Sequence, residues 1–447
     1  MLETIRNAFK TKEIRNKLLF VFLGLIIVRI GCNIPLPGVN TNVIQNLFDN
    51  NQALNFLDVM TGGSFTRMSI FALNITPYIT ASIIVQLLTI AIPRLEELQK
   101  DGEDGRKKIN EYTRYLSIVL ALIEGLAIVI GFRNQGFFTE SGYTSVIISV
   151  VALTAGAAFL MWLGEEITEK GIGNGISMII FVGIISGLPS AVTMIWDLIF
   201  GTGAFSTVGL LTALAIIAGA VLLIAGVVFV QQAERRIPVQ YSKKVVGRKM
   251  MGGQSTHIPL KLAMAGVMPI IFASSFMTFP AMIIQIFNSN IAEQSGFLAG
   301  LYKLSIATST STLTTSAGAT YPLPIGYSIA NALIYLLLIV GFTFFYTYAT
   351  FNPAEISSNI KKNGGFIPGI RTGKSTTEYL SSVISKLTIF GGFFLALIAI
   401  IPMMARFTTV DLAFGGTSIL IIVGVALETM QQLESQVVMK HYKGFLE

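Results

Sequence analysis

Reactive side chains are scarce in this chain, and their scarcity excludes most chemistry. Cysteine occurs once, as Cys32, so no intrachain disulfide forms. Histidine occurs twice, as His257 in a basic loop and His441 near the end of the chain, and no HExxH pair exists. No metal site or dinucleotide fingerprint is visible. The string Gly171-Ile172-Gly173-Asn174-Gly175 lacks the lysine of a phosphate loop and runs into an apolar segment. An intramembrane protease would need a Ser–His, metal or paired-Asp set, and the apolar segments offer none. The reading is therefore not an enzyme, with no cofactor. Charge is also scarce: 12% of the residues are charged, where a soluble domain carries about 25%.

What is present is apolar. Of 447 residues, 53% are hydrophobic, and the mean hydropathy is +0.69. The apolar runs recur near the ~20 helical residues that cross a bilayer. Ten spans are expected: 18–34, 70–92, 115–132, 143–163, 176–196, 208–230, 262–287, 327–351, 387–405 and 417–433. The last is the weakest, since only 419–427 is strongly apolar. The first 17 residues read as a charged amphipathic arm rather than a cleavable signal.

The net charge of +7 reports orientation before it reports partners. With ten spans, 26 of the 31 basic residues fall on one side, four on the other, and Arg29 inside span one. Basic residues favour the cytoplasmic face, so both termini are expected there. Two basic connections rich in Gly and Pro, 231–261 and 352–385, look like docking projections for a soluble partner. The Ser/Thr-rich stretch 305–320 on the far side receives no role. Two halves of five spans, 1–196 and 197–447, must sit in opposite orientations, which permits an inverted repeat with a cavity between them. No letter-level repeat supports it.

One stretch departs from the pattern. In 55–69, Phe56, Leu57, Val59, Met60, Phe65 and Met68 alternate with polar residues, and Gly62-Gly63 breaks the run. Half-length or non-helical backbone persists at membrane depth only inside protein or along a cavity, so this piece is a candidate for something seated in a pore. Isoleucines stand beside helix-weakening residues in four spans: Ile75 and Ile79 around Pro77, Ile176 and Ile180 after Gly175, Ile271 after Pro269, and Ile421 after Gly415-Gly416. Singly, each is an ordinary lipid-facing or core isoleucine. Together with a plug they suit a constriction that gates by excluding water. Arg29 is read as a side chain reaching the interface from the outer end of span one, and Glu124 as facing a polar groove. An ion- or proton-coupled transporter of small solutes is the alternative; it needs midplane acids, and Glu124 has no second acid near it.

The chain resembles the SecY family of translocon channels over essentially its whole length. The most specific segments are RMSIFALNITPYITASIIVQLL (67–88), MWLGEEITEKGIGNGIS (161–177), QSTHIPLKLAMAGVMPIIFASS (254–275), FNPAEISSNIKKNGGFIPGIRTGK (351–374) and FGGTSILI (414–421). The resemblance implies an all-α polytopic membrane protein, with ten transmembrane helices in two pseudo-symmetric five-helix halves around an hourglass pore. It implies a waist ring of Ile75, Ile79, Ile176, Ile180, Ile271 and Ile421. It implies a plug of Leu57, Asp58, Val59, Met60, Thr61, Gly62, Gly63, Ser64, Phe65, Thr66 and Arg67. A lateral gate between spans two and three and spans seven and eight would carry Thr80 and Glu124, with Val267 where some relatives have Asn. Arg248 and Lys249 match a ribosome-facing tip, and Arg371 in IPGIR matches a position used in SecA-driven transport. Lys361 and Lys362 belong to the same docking loop. The implied partners are SecE, SecG, the SecA ATPase, the ribosome, signal peptides, unfolded preproteins and membrane lipids, without sequence-specific nucleic-acid binding. The implied location is the cytoplasmic membrane of a bacterium.

Overall fold

The computed structural model describes residues 6, 8–40, 61–133, 138, 142–201, 206–241, 244–246, 249–251, 255–287, 296–307, 312–314, 320–405 and 416–443. Leu57, Asp58, Val59, Met60 and Arg248 lie outside the described residues, as does much of 305–320.

Helices dominate. In the N-terminal half they are α1 (Lys12–Gly31), α2 (Thr76–Ala91), α3 (Pro93–Lys100), α4 (Glu103–Arg133), α5 (Tyr143–Lys170), α6 (Gly175–Ile185) and α7 (Leu188–Phe200). Next come α8 (Thr207–Gln232) and four strands: β1 (Glu234–Tyr241), β2 (Lys244–Val246), β3 (Lys249–Met251) and β4 (Ser255–Lys261). The chain continues through α9 (Met268–Phe287), α10 (Phe297–Ile306), a hairpin of β5 (Thr312–Thr314) and β6 (Thr320–Pro322), and α11 (Ile325–Thr350). It ends with α12 (Pro353–Lys362), β7 (Gly365–Phe366), α13 (Lys374–Ala405) and α14 (Gly416–Lys443).

Helix occupies each of the ten expected spans, but local chemistry moves the boundaries. The second span was expected from Ile70, yet residues 70–75 form turns. Asn74 adopts a left-handed φ of 50°, and the helix starts only where Pro77, lacking an N–H, fits its first turn. Span seven likewise starts at Met268 rather than Leu262, after Gly266 at φ 59°. Span five is two helices, α6 and α7, with turn residues Ser186-Gly187 between them. Pro93 ends α2, and α3 leaves it at 105°. Six helical stretches among the described residues are long and apolar enough to cross a membrane, seven if α2 and α3 count as one span. α1 carries a charged first turn and Arg29, and α14 becomes polar beyond Leu427.

Burial separates lipid-facing from protein-facing helices. Only 17% of the apolar window of α8 is buried, and Val208, Leu211, Val221, Leu222 and Phe229 lie on its surface. So apolar a surface calls for lipid or a partner helix against it. α4 instead buries one stripe: Thr113, Ser117, Ala121, Glu124 and Ile128, spaced three and four apart.

The two basic connections are not loops. β1 and β4 pair antiparallel from Glu234↔Lys261 to Gln240↔Ser255, and β7 of the other connection adds to β1 at Gln240↔Phe366. Strand alternation turns Ile237 and Val239 inward, onto Ile360, Ile367, Leu380 and Ile384. The two projections thus share one sheet and one small core. Residues 374–385, expected within the second loop, are the first turns of α13.

Candidate functional site

Four helix beginnings meet at the centre of the molecule. Ile75 caps α2 and Ile79 follows in its first turn. Ile176 and Ile180 open α6, Ile271 opens α9, and Ile421 lies near the start of α14. All six isoleucines share one apolar cluster that draws on both halves. Five are between 0% and 8% exposed, and Ile176 is half-buried against them. Their places at helix starts follow from the breakers: Asn74 and Pro77, Asn174 and Gly175, Gly266 and Pro269, and Gly416.

The Gly171–Gly175 turn sets α6 in place. Asn174 caps it, its Oδ1 accepting from the Ile176 and Ser177 amides at 3.1 and 3.3 Å. The Gly175 amide donates to Thr168 Oγ1 at 2.9 Å. The Gly173 amide donates across to Gln432 Oε1 of α14 at 2.8 Å, so the turn binds one half to the other.

The described part of the plug stretch, Thr61–Arg67, packs beneath α4 and α5. Phe65 joins Met68, Leu36, Ile128 and Leu153 in a cluster separate from that of the six isoleucines. Ser64 is fully buried, and its hydroxyl lies 3.0 Å from the Thr61 carbonyl and 3.1 Å from that of Phe71. Arg29 corrects the sequence reading. It is half-buried, and its Nη1 donates to the Gly62 carbonyl at 3.0 Å rather than simply reaching the interface. Asn33 Nδ2 donates to the Arg29 carbonyl at 2.7 Å, and Arg67 donates to Asn33 Oδ1.

A family model for SecY matches residues 69–430. The SecY subunit of the protein translocase of Halalkalibacterium halodurans is 43% identical over 458 residues, covering 100% of both chains. That of Streptomyces coelicolor is 44% identical over 467 residues, again covering 100% of both. The chain belongs to the SecY family.

Solved SecY-type structures share the fold. A SecY structure described by its plug domain, said to stabilise the closed state and maintain a membrane seal, superposes with a TM-score of 0.60 at 20% identity, covering 93% of this chain and 91% of that one. Sec61 in a canine ribosome–channel complex gives a TM-score of 0.55 at 20% identity over the same shares. A small-solute transporter, considered from span count, opposed halves and Gly/Pro-broken helices, finds no support among the SecY relatives.

In the SecY frame the remaining expected residues fall at two places. α9 packs on both α2 and α4, so the seam between the halves is closed here. On that side Thr80 is half-buried and donates to the Thr76 carbonyl at 3.1 Å. Glu124 is 3% exposed, and its Oε1 has no hydrogen-bond partner among the described residues. Val267, 4% exposed, presses on Gly424, where any Cβ would overlap it. Phe272 meets Phe342 and Tyr346 edge-on at 5.9 and 6.3 Å, joining α9 to α11 as one wall. The second place is the shared sheet. Lys361 and Lys362 end α12 exposed, and Arg371 is exposed while its carbonyl accepts from Thr376 Oγ1 at 2.8 Å. Sequence reasoning missed Gln432, Asn33 and Ser186, whose partners lie 34 to 259 residues away.

Proposed function

We propose that this chain is the protein-conducting channel of a bacterial Sec translocase, moving unfolded polypeptides across the cytoplasmic membrane and releasing apolar segments sideways into lipid. The observation that carries this is the meeting of six isoleucines, from four helix starts and both halves, in one apolar cluster. A waist of isoleucine offers a passing chain no hydrogen bonds to hold it. Branched, flexible side chains close around substrates of differing size while limiting water and ions. Thr61–Arg67 belongs to the plug that completes the seal. The closed seam of α2 and α4 against α9 and α11 is the lateral gate, with Thr80 and Glu124 along it. A signal sequence supplies an apolar helix that replaces gate contacts, so its binding favours the open state.

The halves are 1–196 and 197–447, clasped by SecE and accompanied by SecG. Both termini and the shared sheet face the cytoplasm. Arg371, Lys361 and Lys362 belong to the face that receives SecA or the ribosome, and Arg248 and Lys249 are read as serving the same partners. The motor supplies the energy.

The test is precursor uptake into vesicles holding the complex, with SecA and ATP, compared with Glu124→Gln. Protease-protected precursor that persists in the variant at an altered rate is the expected result. Loss of all transport in a well-folded Glu124→Gln complex, together with wild-type uptake of a small solute, contradicts it and returns the coupled transporter.

A further inference from the structure

We propose that Arg29 is the latch that holds the plug shut, acting on the carbonyl of Gly62. This rests on reading Thr61–Arg67 as part of a plug, and it assigns the residues that decide when the plug leaves.

Three observations meet at Gly62. Its carbonyl accepts from Arg29 Nη1 at 3.0 Å. The Ser186 hydroxyl lies 3.3 Å from the same oxygen, but also 2.6 Å from the Gly183 carbonyl in the last turn of α6. A hydroxyl has one proton, so Ser186 is the weaker arm and Arg29 the stronger. The third observation is steric. Gly62 stands at φ 69°, and a Cβ there would lie 2.8 Å from Gly183 Cα and 2.9 Å from its carbonyl. Glycine alone lets the plug backbone come this close to α6 and present its carbonyl to Arg29.

The other end of the described segment is tied to the same place. Arg67 donates to Asn33, and Asn33 donates to the Arg29 carbonyl. The outer end of α1 thus holds both Gly62 and Arg67. An arginine within a span demands a polar partner, and a carbonyl in a tight buried turn demands a donor. Each supplies the other's need while the plug is seated. Unseating leaves both unmet until water or a passing chain replaces them. The latch therefore biases the resting channel to the closed state without opposing a channel already filled.

The experiment is resting ion current through the purified complex in planar bilayers, without precursor, paired with precursor uptake in vesicles. Losing a hydrogen bond to a charged group predicts a resting current about tenfold or more above wild type in Arg29→Ala. Ser186→Ala should raise it less, and Arg29→Lys, which keeps charge and donor, should restore most of the seal. Precursor uptake should persist in all three. Wild-type resting current in Arg29→Ala with normal uptake overturns the latch and leaves the channel standing. Absence of uptake by the wild-type complex instead overturns the function on which the latch rests. Should Arg29→Ala fail to assemble, Arg29→Met, which keeps the length of the side chain without its donors, decides: a raised current supports the latch, and a wild-type current refutes it.

Discussion

A methyl group added at Gly175 would run into the Gly164 carbonyl and crowd Ile167 Cβ at 2.8 Å, whereas one added at Gly219 on α8 would meet nothing within 4 Å. Thermal unfolding of the purified complex should therefore separate two identical substitutions. Gly175→Ala should lose about 1–3 kcal/mol through forced backbone shifts. Gly219→Ala should be neutral or gain up to ~1 kcal/mol of helix propensity. Equal melting temperatures for the two would contradict the close packing of the turn. Arg371 makes a different prediction. Its side chain is exposed, so Arg371→Glu should leave the melting temperature unchanged and disable SecA-driven export. Export surviving at normal protein levels would remove this residue from the docking face. At this scale the places of the six isoleucines at helix starts were legible, because each stands near a breaker visible in the letters. Arg29 was not, because hydropathy places a side chain at a depth and says nothing of a carbonyl 33 positions away.

The element that ties the halves together is the Gly171–Gly175 turn, which the sequence could only describe by what it is not. Its Gly173 amide reaches Gln432, beside which Lys261 donates to Gln431 of the same helix. Gln432→Ala should remove a cross-half hydrogen bond worth about 1 kcal/mol, lowering the melting temperature of the complex. An unchanged value would mean that apolar packing alone holds α6 against α14. The spans themselves were legible because a bilayer demands long apolar helices. Their ends were less so: Asn74 and Gly266 take left-handed backbone that delays α2 and α9 past the start of the apolar run. The shared sheet was hidden altogether. Gln240 pairs with Phe366 across more than a hundred residues, and a two-residue strand such as β7 leaves no periodic signal.

Across the whole molecule, apolar surface is divided between exposed helix faces and one isoleucine-rich cluster. α8 leaves its apolar face exposed, while α2, α6, α9 and α14 turn theirs toward one another. The division into halves was legible as topology, an odd number of spans on each side. Their closure was not, since the seam of α9 against α2 and α4 arises from residues far apart in sequence. That a translocating chain passes the six isoleucines is the proposal at this scale. It is tested most directly by placing a cysteine at Ile79 in a Cys32→Ser background and a second in a stalled precursor, in a complex supplied with SecA. A crosslink that requires ATP and a functional signal sequence is the predicted result. Precursor transport with no crosslink at Ile79, Ile176 or Ile271 would contradict it and put the path elsewhere.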